Sequence, residues 1–363
     1  MSSTGTEGRP FIAPTPPTTA SRAPLVRPRR RVWLGLAVPL CLVAAVSTAV
    51  WALSDEYTIE VGPFDLPTGG HEQIRQPAPL AVALPVDGWL HGISFDLVDR
   101  NGQVLPSGAL HHLNLIQPEH RELFSQIMLR VGAAGSETKP YAIPWFLGYR
   151  VHPGDSLLVI SMVHNPTPRA YQGVRVRVKL QLTRATPWFR PIAIKPLYVD
   201  VMPPAGVHAF DLPPGRSVKS WEGRPAVAAR LLAAGGHLHP YSIGLRFEDA
   251  TTGELIWEAR PKLGTRGELV GMPTKYFLPF GVPLVPDHVY RLSAEYDNPT
   301  GKVLEDGGMG ALGGVVVPTS DLPWPTVARA DSEYRRDVRV VMGQEPSAHG
   351  HMHHDMNMNM PRP

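Results

Sequence analysis

The sequence predicts an all-β protein with two tandem jelly-roll-like β-sandwich domains, preceded by a single transmembrane helix. Short apolar segments recur from residue 57 to about residue 320, and clusters of Gly, Pro and Asn separate them. Many short strands with frequent turns are typical of sandwiches and jelly rolls. One uncharged apolar segment, residues 32–53, precedes all of them and is long enough to cross a bilayer as a helix.

Four segments are the clearest strand candidates because they are rich in apolar and β-branched residues. They are residues 94–98, 157–163, 174–182 and 290–296. Residues 174–182 alternate strictly between apolar and polar, so one face of that strand is expected in a core and the other in solvent. Within residues 57–320, only residues 119–129 hint at a helix.

Length and composition limit both the architecture and the function. A chain of 363 residues is expected to contain about two domains. Apolar residues make up 43% and charged residues 18%, which leaves enough apolar side chains for sizeable cores. The formal net charge of +3 argues against a nucleic-acid partner. Because Cys41 is the single cysteine, an intramolecular disulfide is impossible, and packing alone has to stabilise any exported domain.

Prolines between residues 187 and 196 mark the expected boundary between the two sandwiches. We place the first domain at residues 57–184 and the second at residues 190–320. The β pattern weakens after residue 320, so residues 321–363 are predicted to form a C-terminal extension.

The charges that flank residues 32–53 predict the orientation of the span. A cluster of arginines precedes it, and Asp55 and Glu56 follow it, so the N-terminus is expected inside the cell. Trp33 and Trp51 lie near its ends, where interfacial aromatic residues are common. Residues 1–31 are then a disordered cytoplasmic tail, and both domains lie on the extracytoplasmic side of the cell membrane. A cleaved signal peptide is the alternative, although its apolar region is normally shorter and nearer the N-terminus.

Six side chains that bind transition metals follow one another through the predicted domains. They are His111, His112, His164, His237, His239 and Met309. Imidazole suits many metals, whereas a thioether is a poor ligand for zinc, magnesium or calcium and a good one for copper(I). The set therefore favours copper.

The spacing of the paired histidines determines how they can share an ion. Residues i and i+2 of a strand lie on one face about 6.5–7 Å apart, so His237 and His239 can hold one ion. Adjacent strand residues face opposite ways, so His111 and His112 can share an ion only at a strand end, at a bulge or through different ring nitrogens. Without a metal, His237 and His239 would lie on a half-buried strand, and His111 and His112 would lie in a surface loop.

The other two ligands lie at positions where a side chain can leave a core. His164 ends an apolar strand, directly before an Asn-Pro pair. Met309 is flanked by glycines, where a packing role for a large side chain is less natural. A plain core methionine is the competing interpretation of Met309.

The C-terminus carries a second cluster of histidines and methionines, which we interpret as accessory copper capture. Its members are His349, His351, Met352, His353, His354, Met356, Met358 and Met360. An expression tag is the alternative, but tags usually run as uninterrupted histidines.

The order and surroundings of the six ligands resemble the copper type II, ascorbate-dependent monooxygenases, the family of peptidylglycine α-hydroxylating monooxygenase and dopamine β-monooxygenase. Residues 111–116, His-His-Leu-Asn-Leu-Ile, look like the family's His-His-Met-Leu-Leu-Phe segment. Residues 143–151, which lead through an apolar strand to His164, are similar to its approach to the third ligand. The gap from His239 to Met309, 309 − 239 = 70 residues, is also similar. The resemblance covers residues 57–318.

The resemblance implies two copper ions, one in each sandwich. The electron-donating copper would be held by His111, His112 and His164. The copper that binds and activates oxygen would be held by His237, His239 and Met309. The implied reaction inserts one oxygen atom of O2 into an aliphatic C–H bond of a small molecule and releases the other as water. An ascorbate-like or protein electron donor would supply two electrons.

The chain departs from this family in ways that bear on its substrate and its activity. The family's disulfides are absent, the arginine that binds a peptide carboxylate falls at Gly235, and a substrate-binding tyrosine falls near Gly313. A peptidylglycine substrate is therefore not expected. Two other functions stay open: a non-catalytic copper-handling protein that keeps the fold and the ligands, and an anchored scaffold with incidental histidines.

Overall fold

The computed structural model describes residues 53–135, 138–184, 186–187, 189–202, 208–264 and 269–344. All of them belong to one compact unit that begins at Val50. The predicted N-terminal tail, the predicted span except Leu53, and the His/Met cluster from His349 onward lie outside the described residues. Within the described ranges, no helix is both long and apolar enough to cross a membrane.

The described part of the chain is all-β apart from one short α-helix and one 3-10 turn, Ser107–Ala109. The strands that precede the proline-rich segment are β1 Ser54–Leu66, β2 Gly70–Arg75, β3 Leu80–Ala83, β4 Gly88–Val98, β5 Leu110–Arg121, β6 Met128–Gly135, β7 Tyr141–Ala142, β8 Leu147–Val151, β9 Ser156–Asn165 and β10 Tyr171–Arg184.

The elements from the proline-rich segment onward are again strands until the final helix. They are β11 Ile192–Ala193, β12 Lys195–Asp200, β13 Phe210–Leu212, β14 Gly215–Gly223, β15 Ala229–Leu238, β16 Ser242–Asp249, β17 Glu254–Ala259, β18 Lys262–Leu263, β19 Leu269–Gly271, β20 Lys275–Tyr276, β21 Val282–Leu284, β22 Tyr290–Asn298, β23 Leu304–Gly308, β24 Gly310–Pro318 and the helix α1 Ser332–Val341.

These strands form two pairs of large sheets. The first sheet pair consists of one sheet in the order β1-β10-β4-β8-β11, with β7 on β4, and a second in the order β2-β9-β5-β6, with β3 on β9. The second sheet pair consists of β12-β24-β15-β20, with β21 on β15, and of β14-β22-β16-β17. Among the described strands, none up to β10 pairs with one after β11. Buried apolar residues of both sheet pairs nevertheless belong to one continuous core.

All four predicted strand segments are confirmed, and they lie within β4, β9, β10 and β22. The alternation in β10 has the expected result: Val174, Val176 and Val178 are fully buried, and the residues between them face outward. On the outward face, Arg177 forms a bidentate ion pair with Asp96 of β4. The apolar/polar period of this strand therefore sets its register in the sheet.

The helix predicted at residues 119–129 is wrong, because tertiary contacts override the local pattern. β5 continues to Arg121, and β6 begins at Met128. Between them the side chain of Glu122, fully buried, accepts hydrogen bonds from the backbone N–H groups of Arg130 and Tyr198. These two bonds tie the segment to the strands on either side and prevent it from coiling into a helix.

The helix α1 forms instead in the C-terminal extension. Asp331 precedes it, and the Asp331 carboxylate accepts hydrogen bonds from the N–H groups of Glu333 and Tyr334, as an N-cap does. Its buried Asp337 pairs with both guanidinium nitrogens of Arg130 on β6. The helix therefore closes over the outer face of the first sheet pair.

Candidate metal centre

A β-bulge solves the problem of placing two adjacent histidines on one ion. In the pairing of β5 with β9, Leu110 lies opposite Val163 and His112 lies opposite Met162. His111 is thus the extra residue of a bulge. The His111 and His112 rings lie with their centroids 4.3 Å apart and their planes inclined at 56°. Both rings can consequently approach the same space.

His164 completes the first set of predicted ligands at the end of β9. Its side chain is buried, and its ring lies edge-on to that of His111, with the centroids 5.8 Å apart. His111 therefore contacts both of the other histidines of this set.

The second set of predicted ligands shares one face of the sheet that contains β15 and β24. His237 lies opposite Ala311, and Leu238 lies opposite Gly310. Continuing that register by one residue places His239 opposite Met309, just beyond both strands. The rings of His237 and His239 are 5.5 Å apart, so the two histidines lie on one face at a strand end, as predicted.

Tyr296 of β22 fixes the backbone at this strand end. Its hydroxyl accepts hydrogen bonds from the N–H of His239 (2.9 Å) and the N–H of Met309 (3.0 Å), and it donates one to the carbonyl of Met309. Burial raises the pKa of Tyr296 to about 12, so the proton that it donates is retained at neutral pH. The sequence did not reveal this role, because Tyr296 looks like any inward residue of an alternating strand.

The two sets meet where the two sheet pairs touch. The rings of His112 and His237 are 5.6 Å apart, so ring contacts run in one row from His164 through His111, His112 and His237 to His239. The ring nitrogens of His112, His237 and His239 all lie within 4.8 Å of one another. Within the described residues, no other group of three or more His, Cys, Asp or Glu side chains meets that spacing.

These distances are close to what one ion requires. Imidazole nitrogens bound at about 2.0–2.1 Å to one ion are at most about 4.2 Å apart, so small ring rotations bring the three nitrogens into range. The division of the ligands into two sets of three stays a prediction. The structure adds a contact between the two sets, because the ring of His112 from the first set contacts the ring of His237 from the second.

A cavity of about 720 Å³ adjoins the row of histidines. Its lining includes residues of β4, β5 and β6 from the first sheet pair and of β12, β15 and β24 from the second. His112, His237 and Met309 line it, together with two further methionines, Met162 and Met272. None of the described lining residues is Asp or Glu. Imidazole and thioether donors without carboxylates suit copper and do not suit magnesium, calcium or manganese.

Met162 is a possible ligand that the sequence analysis missed. It lies directly opposite His112 and two residues before His164, on the same face of β9. That i, i+2 spacing from His164 was a usable signal. Met272 lies in a connection between short strands and carried no such signal.

Comparisons with known proteins do not identify the chain. No protein-family model matches it, and no curated protein does. The solved structures that it matches include the major capsid protein P2 of bacteriophage PM2, with 11% identity, a TM-score of 0.33, and coverage of 74% of this chain and 99% of that one. They also include a VP2 subviral particle of infectious bursal disease virus, with 9% identity, a TM-score of 0.23, and coverage of 74% and 73%. TM-scores this low transfer neither a fold family nor a function.

Proposed function

We propose that this protein is a membrane-anchored, exported copper-dependent monooxygenase-like protein built from two tandem jelly-roll-like sandwiches. The observation that carries the proposal is the cavity, because two of the clustered histidines and the Met309 side chain form part of its wall. Its volume of about 720 Å³ is in the usual range for small-molecule sites. A metal at this wall would face a space that admits a small organic substrate.

The described residues suggest which side chains would hold copper. His237, His239 and Met309 would hold the oxygen-activating ion, with His112 close by, and His111, His112 and His164 the electron-donating ion. A methionine sulfur favours the reduced state and leaves a position open for a further ligand. Copper in these positions would supply the one-electron redox chemistry that oxygen insertion into a C–H bond requires.

The chain itself would position the substrate and connect the two ligand sets. The overall reaction takes one O2, two electrons and two protons, converts an aliphatic C–H into C–OH and releases one water. An ascorbate-like or protein donor would supply the electrons. Apolar residues predominate on the cavity wall and would keep bulk water from the reacting carbon. Ring contacts of 4.3–5.8 Å leave no solvent gap between the two sets.

Copper handling without catalysis is the second candidate. The C-terminal sequence from His349 onward favours it, since four histidines and four methionines could collect copper in either oxidation state. In that case the same ligands would store or deliver the ion, and the cavity would hold no substrate that is oxidised.

Metal content and oxygen uptake test these functions. A chain from Val50 to Ala348 is loaded with copper under reducing conditions, desalted and analysed for metal. We expect about two copper ions per chain, and a content of zero or one would contradict the paired sites. Oxygen uptake with ascorbate and a cell extract as the substrate source then separates catalysis from handling. His237→Gln should abolish that uptake, whereas His288→Gln, outside the cavity, should preserve it. Protein that binds copper but consumes no oxygen would support copper handling in place of catalysis.

A further inference from the structure

The cavity has a polar end opposite the histidines, and the strand register gives its distance. Asp200 of β12 lies opposite Ala311, and Ala311 lies opposite His237. Neighbouring strands are about 4.8 Å apart, so the backbones of Asp200 and His237 are about 10 Å apart across the sheet. Residues directly opposite in an antiparallel sheet point to one face, so all three share the cavity face.

The floor between the two ends carries almost no side chains. Across the three strands, Tyr198 lies opposite Gly313, and Gly313 lies opposite Gly235. Two residues along, Ala311 lies between Asp200 and His237. A Cβ atom added at Gly313 would meet no other atom within 4 Å. The sheet therefore presents a floor about two strands wide between His237 and Tyr198 that is open at Gly313. Thr274 borders it at Gly235, where an added Cβ atom would lie 3.2 Å from the Thr274 hydroxyl.

Hydrogen bonds at the polar end fix which groups donate. The Asp200 carboxylate, which is buried, accepts from the Tyr198 hydroxyl at 2.5 Å, from Nδ1 of His208 at 3.0 Å and from the Met202 N–H at 2.9 Å. A carboxylate can only accept, so Tyr198 and His208 both direct a proton towards it. Burial, and the Asp200 charge, raise the pKa of Tyr198, so its hydroxyl keeps that proton.

The remaining lone pairs face a ligand as acceptors. Tyr198 and His208 both line the cavity, and their donor protons are committed to Asp200. The Tyr198 oxygen is therefore a hydrogen-bond acceptor, and so is Nε2 of His208 when its ring is neutral, so a carboxylate ligand would find no donor there. The Asp200 carboxylate already accepts three hydrogen bonds from within the protein.

The charges on the wall argue against a cationic ligand. Arg130, Lys139 and Lys262 line the cavity, and no described lining residue is acidic. The Arg130 charge is matched by Asp337, but the two lysines add positive charge. A group that donates a hydrogen bond without carrying a positive charge fits this end best, and a hydroxyl is the simplest such group.

We propose that the cavity binds an uncharged aliphatic alcohol. Its hydroxyl donates to His208 or Tyr198, and its chain crosses the floor of Gly235, Ala311 and Gly313 towards the histidines. This inference names the substrate class of the proposed monooxygenase site and so rests on that function. The strands that carry the two ends of this path are about 10 Å apart across the sheet.

A trio of probes that share one chain and differ in the head group tests the proposal. Binding of 1-octanol, octylamine and octanoate to metal-free protein from Val50 to Ala348 is measured by calorimetric titration and by ligand-observed NMR. This unit contains its own continuous core, so it is expected to fold without the preceding residues. We expect 1-octanol to bind about tenfold more tightly than either charged probe, since a buried charge has no partner at this end.

Paired His→Leu variants test the residue assignment. His208→Leu should weaken 1-octanol binding by about 3- to 10-fold, which is the effect of one hydrogen bond. His288→Leu is the matched control, because His288 also forms a His–Asp pair, with Asp249, but does not line the cavity. Equal binding of the three probes, or equal weakening by both variants, would overturn the proposal.

Copper content of the same protein, measured after copper loading and desalting, separates the two conclusions. Protein that takes up copper but does not distinguish the probes would overturn the alcohol site and leave the proposed function standing. Protein that selects 1-octanol but takes up no copper would support the alcohol site and overturn the proposed function.

Discussion

Tyr296→Phe should loosen the second ligand set while leaving all six ligands in place. The Tyr296 hydroxyl makes three hydrogen bonds at the end of β15: it accepts from the N–H groups of His239 and Met309 and donates to the Met309 carbonyl. Phenylalanine fills the same space apart from that one oxygen. The space left by a hydroxyl is too small for a replacement water, so these backbone groups would lose their partner.

The expected size of the effect follows from the number of bonds. A buried hydrogen bond contributes about 1 kcal/mol net, so three of them predict a loss of roughly 3 kcal/mol in the free energy of unfolding. Tyr290→Phe is the matched control: Tyr290 lies on the same strand, is equally buried, and its hydroxyl accepts one bond, from the Val285 N–H. Its predicted loss is about 1 kcal/mol.

Two measurements distinguish a structural effect from an effect on the metal site. Urea unfolding of the metal-free proteins gives the two stability losses, and competition with a copper(I) chelator gives the affinity. We expect Tyr296→Phe to lower copper(I) affinity by about 10- to 100-fold, as loss of the groups that orient ligands typically does. Tyr290→Phe should leave it unchanged. Equal affinity losses in the two variants, or equal stability losses, would refute the role assigned to Tyr296.

Three further predictions concern the thioether and the buried charges. Met309→Ile should weaken copper(I) binding far more than copper(II) binding, whereas Met342→Ile, outside the cavity lining, should change neither, as chelator competition in each oxidation state would show. Burial raises the pKa of Glu122 from 4.5 to about 8, so the unfolded carboxyl ionises first and the free energy of unfolding should fall as the pH rises from 4.5 to 8. Glu122→Gln should reduce that fall in urea unfolding across this range, and an unchanged slope would count against the assignment. Asp337→Leu leaves the buried Arg130 without its partner and should cost about 3–5 kcal/mol of unfolding free energy, most of which Arg130→Met should restore in the double variant.

The repeating apolar/polar pattern was sufficient to predict that the chain is all-β. β10 shows why: its buried valines alternate with outward-facing polar side chains, so the period alone defines the strand and its faces. The same period-two rule placed His237 and His239 on one face at a strand end. It also required a bulge or a strand end for His111 and His112, and β5 provides the bulge.

The parts that the sequence did not reveal depend on long-range contacts. The helix expected at residues 119–129 is absent because Glu122 bonds to β6 and to β12, and the latter contact joins residues far apart in the chain. The contact between His112 and His237 depends on how the two sheet pairs pack, which no local spacing encodes. The Asp200–His208 pair was missed for the same reason, since neither residue belongs to a recognisable motif.

The histidine row crosses from one sheet pair to the other at a single contact, between His112 and His237. Every other ring contact in the row lies within one sheet pair. That one contact separates His111, His112 and His164 from His237, His239 and Met309. How closely the two sheet pairs pack there would set how many ions the protein can hold and how far an electron has to travel between them.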